Sequence, residues 1–238
     1  MGCILCGDGE TVRSHIIPRA FAHDVRDGAK HVVTGSRFEK VPRTSQSGFF
    51  SSTMLCSTHE NLTAPIDKYA IEFVRRVTDG WVDRTSTSAL AIANPRPDLL
   101  RSFALLTIWR EVHSGTEGTL SLGPYEQVIR NHLFDGGASP DWAIVVQRTN
   151  FVTPGRGAID FNLHPYRVRF ADRAGWMLTV AGVGFFVVSD RRGLPSRFQD
   201  WRVDCLDPAP VTISEPLPFT EVGALKGILA AMAARARA

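Results

Sequence analysis

MGCILCGDGETVRSHIIPR, residues 1–19, decides how this chain is read. Cys3 and Cys6 stand with two residues between them, Gly7 and Gly9 permit a tight turn, and Thr11–Ile17 is rich in β-branched residues that favour a strand. Pro18 ends that strand. Alternation places Val12, Ser14 and Ile16 on one face and Arg13, His15 and Ile17 on the other. The cysteine pair alone is open to three readings: a redox dithiol, half of a metal site, or the surroundings of a myristoylated Gly2. The last asks for Ser or Thr at position 6, which is Cys6 here.

A second pair narrows the choice. Cys56 and His59 repeat the two-residue gap, after the apolar Met54-Leu55 and at the head of a helical pattern. Three thiolates and one imidazole suit tetrahedral zinc. Cys3, Cys6, Cys56 and His59 are therefore the expected ligands, against the alternative of inert thiols and a surface histidine. Cys205 stands apart as an ordinary thiol. An ion held from both ends presses the His15 strand against the helix opening near His59. His15 is then expected to face that helix N-terminus, where free N–H groups favour phosphate and a general base has work to do.

Outward from these motifs the chain reads as α+β. Residues 23–52 are polar and glycine-punctuated, a long loop with room for a short hairpin. From Arg19 to Arg43 six basic residues face three acids, which fits either a solvated surface or a phosphate-contacting one. Leu62, Ile66, Tyr69, Ala70, Phe73, Val74 and Val77 recur on one helix face, and Gly80 stops that helix. Residues 81–97 are the boundary between an N-terminal unit, 1–80, and a C-terminal region, 81–238. In the latter, helices are expected from Pro97 to Val112 and from Pro124 to Phe134. DWAIVVQRT, YRVRF and GWMLTVAGVGFFVVS follow as strands of an antiparallel sheet, with an alanine-rich terminal helix from Glu221.

Composition excludes little. The 238 residues are 44% hydrophobic and 21% charged with a net charge of +3, which permits nucleic-acid binding without arguing for it. No apolar run reaches the ~20 residues that span a bilayer, and no secretory signal precedes Cys3, so a reducing cytoplasmic setting is expected.

The combination CILCG, SHIIPR and LCSTHEN resembles the zinc-stapled HNH (His-Me finger) nucleases, more narrowly a bacterial subgroup with a Ser-His-Ile-Ile-Pro motif. The likeness covers residues 3 to about 75, and Leu-Leu-Thr-Ile-Trp-Arg at 105–110 is similar to the middle of such proteins. It implies a ββα unit that hydrolyses phosphodiester bonds in DNA, with structural zinc on Cys3, Cys6, Cys56 and His59 and a catalytic Mg²⁺ or Mn²⁺. By position, His15 is the general base, and Glu60 or Asn61 meets the cation. Arg13 and Arg19 are placed to hold the substrate phosphate. The sequence departs from the family at Ser14, where many members carry an acid, and Glu60 is the carboxylate nearest in the pattern to replace it. An inactive zinc-stapled module binding nucleic acid or protein is the alternative. The remaining one is a zinc-stabilised domain whose function lies in the C-terminal half. That region is left for substrate selection, a homo-oligomer contact or a partner.

Overall fold

The computed structural model describes residues 2–7, 9–26, 32–34, 43–81, 89–115, 120–153, 157–214 and 217–218. The chain opens with β1 (Ser14–His15), the short helix α1 (Arg19–Asp24), the hairpin β2 (Val32–Thr34) and β3 (Arg43–Ser45), and β4 (Phe50–Ser51). β1 pairs antiparallel with β4, with Ser14 opposite Ser51 and His15 opposite Phe50. The expected strand over Thr11–Ile17 is thus shorter. Its N-terminal end keeps one bridge, Thr11 to Cys56, and the register slips between the two contacts because Ser52–Met54 turn away from the ladder.

α2 (Ser57–Gly80) follows, 24 residues long. Ala70, Phe73, Val74 and Val77 are buried as the periodicity predicts, but Leu62 is 55% exposed. The inward stripe of the first turns is carried instead by the buried Thr63. After β5 (Leu90–Ile92), α3 (Pro97–His113) starts on a proline whose missing N–H costs a first turn nothing. Its buried residues run without a break from Leu100 to Glu111, as in a helix enclosed on every side. The buried charged side chains inside it have partners of opposite charge or, at His164, an imidazole. Arg101 meets Asp204 at 2.7 Å, Glu111 meets His164 at 2.7 Å, and Arg110 meets Asp67 at 2.9 Å. A 3-10 turn at Gly123–Tyr125 leads into α4 (Glu126–Phe134).

The C-terminal region supplies β6 (Ala143–Arg148), β7 (Phe151–Thr153), β8 (Gly157–Ile159), β9 (Leu163–Phe170), β10 (Arg173–Val180), β11 (Val183–Val188), β12 (Ala209–Ile213) and β13 (Leu217–Pro218). One six-stranded sheet runs β5-β12-β6-β11-β10-β9. β10 and β11 form a hairpin through Ala181 and Gly182, both at positive φ (45° and 70°), the geometry that matches strand twist. The expected antiparallel sheet is in fact mixed, because β12 lies parallel to β6. β11 ends beside the start of β6, with Val188 opposite Ala143. A chain crossing from there to the far side of β6 enters at the same end and runs the same way.

Residues 82–88 of the expected boundary lie outside the described residues, and Leu90–Ile92 pairs with β12 rather than forming a coil connection. The expected helix from Glu221 also lies outside them. A continuous cluster of buried side chains extends from Cys3 through α2 and α3 to Val211 of β12. The N-terminal chain is therefore packed on the same core as the sheet, and α3 is the element between them.

Candidate metal centre and the His15 edge

Cys3 and Cys6 sit on the first turn, closed by the Gly7 N–H donating to the Cys3 carbonyl at 2.7 Å, with Gly7 and Gly9 at φ 74° and 81°. Only a residue without Cβ takes those angles easily. Ile4 N–H donates to Met54 O and Val12 N–H to Leu55 O, which lays this turn beside the start of α2. Cys56 is the residue preceding α2, and His59 lies in its first turn. The four donor atoms fall within 4.8 Å of one another. His59 Nδ1 is 3.2 Å from Cys56 Sγ and 3.5 Å from Cys3 Sγ. Metal–sulfur bonds of about 2.3 Å in a tetrahedron set ligands about 3.8 Å apart, so this cluster could hold a metal ion with small adjustments. Burial pushes the Cys3 thiol up, but backbone N–H donors of Cys6, Cys56 and Leu5 outweigh it and bring it down to about 6. A thiolate is the ligand form, and these donors favour it. α4 covers the cluster, with the Phe134 ring edge-on to His59 at 6.5 Å and Arg130 donating to Leu5 O at 3.2 Å.

The strand geometry separates Ser14 from His15. The hydrogen bond to the first turns of α2 is made by Ser14, fully buried, whose Oγ donates to Glu60 Oε2 at 2.5 Å. His15 lies on the other face, as alternation requires, with its ring 5.8 Å from Phe50 and its Nε2 buried without a hydrogen-bond partner among the described residues. Burial and the positive charges of Arg13, Arg110 and Arg19 bring His15 down to about 4. At neutral pH it is an uncharged imidazole able to accept a proton. Arg13 is exposed and lies over the Phe50 ring at 4.2 Å; Arg19 is exposed on α1 and donates from Nε to His23 at 3.1 Å.

Glu60 and Asn61 line an open cleft of about 420 Å³ along α2, together with Asp67, Lys68, Glu72 and Arg75; His15 is not in its lining. Glu60, Asn61, Asp67 and Glu72 offer hard oxygens there, the class that Mg²⁺ takes, beside the cations Lys68 and Arg75. The Asn61 carbonyl receives no hydrogen bond from position 65, since Pro65 has no N–H. Arg110 was not singled out by sequence. It donates to Asp67 Oδ2 at 2.9 Å and to Thr63 Oγ1 at 2.7 Å, and approaches Glu60 Oε1 at 3.5 Å. Burial pushes the Asp67 carboxyl upward, which the Arg110 charge opposes. A signal for this group existed: positions 60, 63 and 67 share one helix face, and a lone arginine follows the apolar LLTIW of α3.

Other histidines and arginines have structural partners. His113 stacks on Trp109 at 4.5 Å and meets Glu126 at 2.9 Å; His132 meets Ser102 at 2.9 Å. Arg75 pairs with Asp24, Arg76 bonds the Ala93 carbonyl, and Cys205 is exposed and away from the cluster. Among the described residues no helix is long and apolar enough to cross a membrane. No protein-family model, curated protein or solved structure matches the chain.

Proposed function

We propose that the N-terminal region is a zinc-stapled HNH-type endonuclease unit that hydrolyses phosphodiester bonds in DNA, with His15 as general base. One observation carries this reading. An antiparallel strand pair bearing His15 leads into a helix, both ends of that arrangement meet in a Cys3/Cys6/Cys56/His59 cluster, and Ser14 delivers a hydrogen bond to Glu60 in the helix. The strand pair, the helix and their shared Cys/His cluster support the sequence resemblance, with Ser14 taking the place toward the helix that was expected of His15.

The chemistry follows from the residues. Cys3, Cys6, Cys56 and His59 would hold a zinc ion, which would join the strand pair to α2. His15, neutral at pH 7, takes a proton from the attacking water. A bound phosphodiester anion offsets the surrounding arginine charges and strengthens it as a base. Arg13 and Arg19, both exposed near the same edge, hold the phosphate. Glu60 supplies the carboxylate that Ser14 lacks, with Asn61 beside it, and a Mg²⁺ or Mn²⁺ ion bound there would neutralise charge developing on the phosphate and the leaving oxygen.

A second reading has its own support. The two oxygens of Glu60 already face Ser14 and Arg110, a state suited to a scaffold that binds nucleic acid without cutting it. Plasmid DNA and RNA incubated with Mg²⁺ or Mn²⁺ and protein of measured zinc content separate the two. Cleavage by the parent, reduced ~10²–10⁴-fold in His15→Ala, is expected for the nuclease. Binding without cleavage favours the module. A His15→Ala protein that cuts at the parent's rate overturns the assignment of the base.

A further inference from the structure

We propose that Arg110 of α3 is the positioning residue of this site, holding the Glu60 carboxylate where it stands in for the acid missing at position 14. The inference rests on the reading of Glu60 as the carboxylate that meets a divalent cation.

Burying a guanidinium is unfavourable unless its charge and donors are met, and the Arg110 side chain is 1% exposed. One nitrogen, Nη1, meets Asp67 at 2.9 and 3.2 Å. That contact alone balances the charge and ties α3 to α2. The other nitrogen, Nη2, serves a different end: it bonds Thr63 Oγ1 at 2.7 Å and approaches Glu60 Oε1 at 3.5 Å. Glu60 Oε2 meanwhile accepts from Ser14 Oγ at 2.5 Å. The carboxylate is therefore held at one oxygen by β1 and at the other by α3. Thr63 is held in turn, its hydroxyl donating to the Glu60 carbonyl at 2.7 Å. Each carboxylate oxygen retains a second acceptor direction, and Glu60 borders the cleft. Two carboxylates, Glu60 and Asp67, share this one guanidinium. The Thr63 bond already satisfies Nη2 as a buried donor, and the approach to Glu60 goes beyond that need.

The test removes the guanidinium without changing net charge. Arg110→Met combined with Asp67→Asn deletes one positive and one negative group and keeps a side-chain oxygen at the cleft position that Asp67 lines. Mn²⁺ binding to the zinc-loaded protein is followed by electron paramagnetic resonance, alongside cleavage. Loss of an outer partner of a metal ligand typically weakens affinity 10–100-fold, and a loss of about tenfold or more is expected here, with zinc content and melting temperature kept. Adding Glu60→Gln should cost less in the double variant than in the parent, because Glu60 is the group through which Arg110 acts. Arg110→Lys, which keeps the charge at Asp67 but lacks the second arm of the fork, should also weaken Mn²⁺ binding and provides the answer if the double variant fails to fold. Parent-like Mn²⁺ affinity in either folded variant, or a parent protein that binds no Mn²⁺, overturns the role of Arg110. If the parent cleaves while the variants bind Mn²⁺ normally, only Arg110 is wrong. If the parent binds Mn²⁺ and cuts nothing while the variants bind it weakly, the nuclease reading falls and Arg110 stands.

Discussion

The His15 edge and the C-terminal sheet are held by different forces. β1 and β4 are two residues each and pair over Ser14–Ser51 and His15–Phe50, while β10 runs for eight residues and is paired on both sides. The sheet buries Trp176, Leu178, Val180, Phe185 and Val187 against α3 and its neighbours. The His15 edge buries Ser14 and Ser51 and relies on side-chain bonds and the Cys/His cluster. A region with so short a backbone ladder draws its order from the apolar residues beside it, Ile17, Phe21, Met54 and Leu55, and four ligands converging from two segments can add to it. The comparison teaches that His15 and Ser14 sit on the part of the molecule that an ion held by the Cys/His cluster would tie together.

Removing a ligand is the largest perturbation of that contrast. Structural zinc contributes on the order of 10 kcal/mol in small sites, so Cys56→Ser or chelation should release β1, β4 and the first turn of α2. Hydrogen exchange is the measurement. Protection should vanish near Ser14, His15 and Glu60 while β10 and β11 keep theirs. Equal loss across both regions would show that the shared core, not the cluster, sets the order of the His15 edge.

The converse change strikes the sheet. Trp176 is fully buried and packs against Tyr125 and Trp142 at ring distances of 5.5 and 5.6 Å. Trp176→Ala should cost about 3–5 kcal/mol, lowering the melting temperature while zinc stoichiometry stays at the parent value. If zinc is lost as well, the two regions fold as one unit and the contrast dissolves.

What the sequence disclosed follows the same division. The pairing of Cys3-Cys6 with Cys56-His59 was legible because ligand spacing is local, and α2 and α3 were legible because their apolar positions repeat. The parallel placement of β12 on β6 was not, since it depends on where β11 ends in space. Nor was it legible that Ser14, rather than His15, bonds to the first turns of α2; alternation separates the two residues but does not say which face meets the helix. Arg110 escaped for a similar reason. Its partners Glu60, Thr63 and Asp67 lie on another helix, and nothing in the run of α3 names them.

A smaller effect concerns pH. The folded value of His15 near 4 lies below the ordinary 6.5, so the unfolded chain takes up this proton first as pH falls. The contribution to stability is intact above about pH 6.5 and is lost as pH falls through that window toward about 4. Nuclear magnetic resonance titration of the imidazole in the zinc-loaded protein should show a midpoint well below 6.5, moving up in Arg13→Gln as one of the opposing charges is removed. A midpoint at or above 6.5 would mean that the ring is solvated and that the His15 edge is more open than the sheet by a wider margin.

The smallest effect should come from the ion pair at the surface between α1 and α2. Arg75 Nη2 lies 3.0 Å from Asp24 Oδ1, and the two side chains are 53% and 26% exposed. The guanidinium also donates from Nε to the other oxygen at 3.2 Å, so its geometry is favourable. Exposed pairs nonetheless contribute about 0.2–1 kcal/mol, because water and salt screen them and two long side chains must be ordered. Arg75→Ala should lower stability by less than about 1 kcal/mol in a denaturant titration, with the difference shrinking as salt is raised. Zinc content and exchange protection at Ser14 should not change. A larger, salt-insensitive loss accompanied by exposure of β1 would place the order of the His15 edge in its contacts with α2 as much as in its metal ligands, and would move the weight of the comparison from the ion to the helix surface.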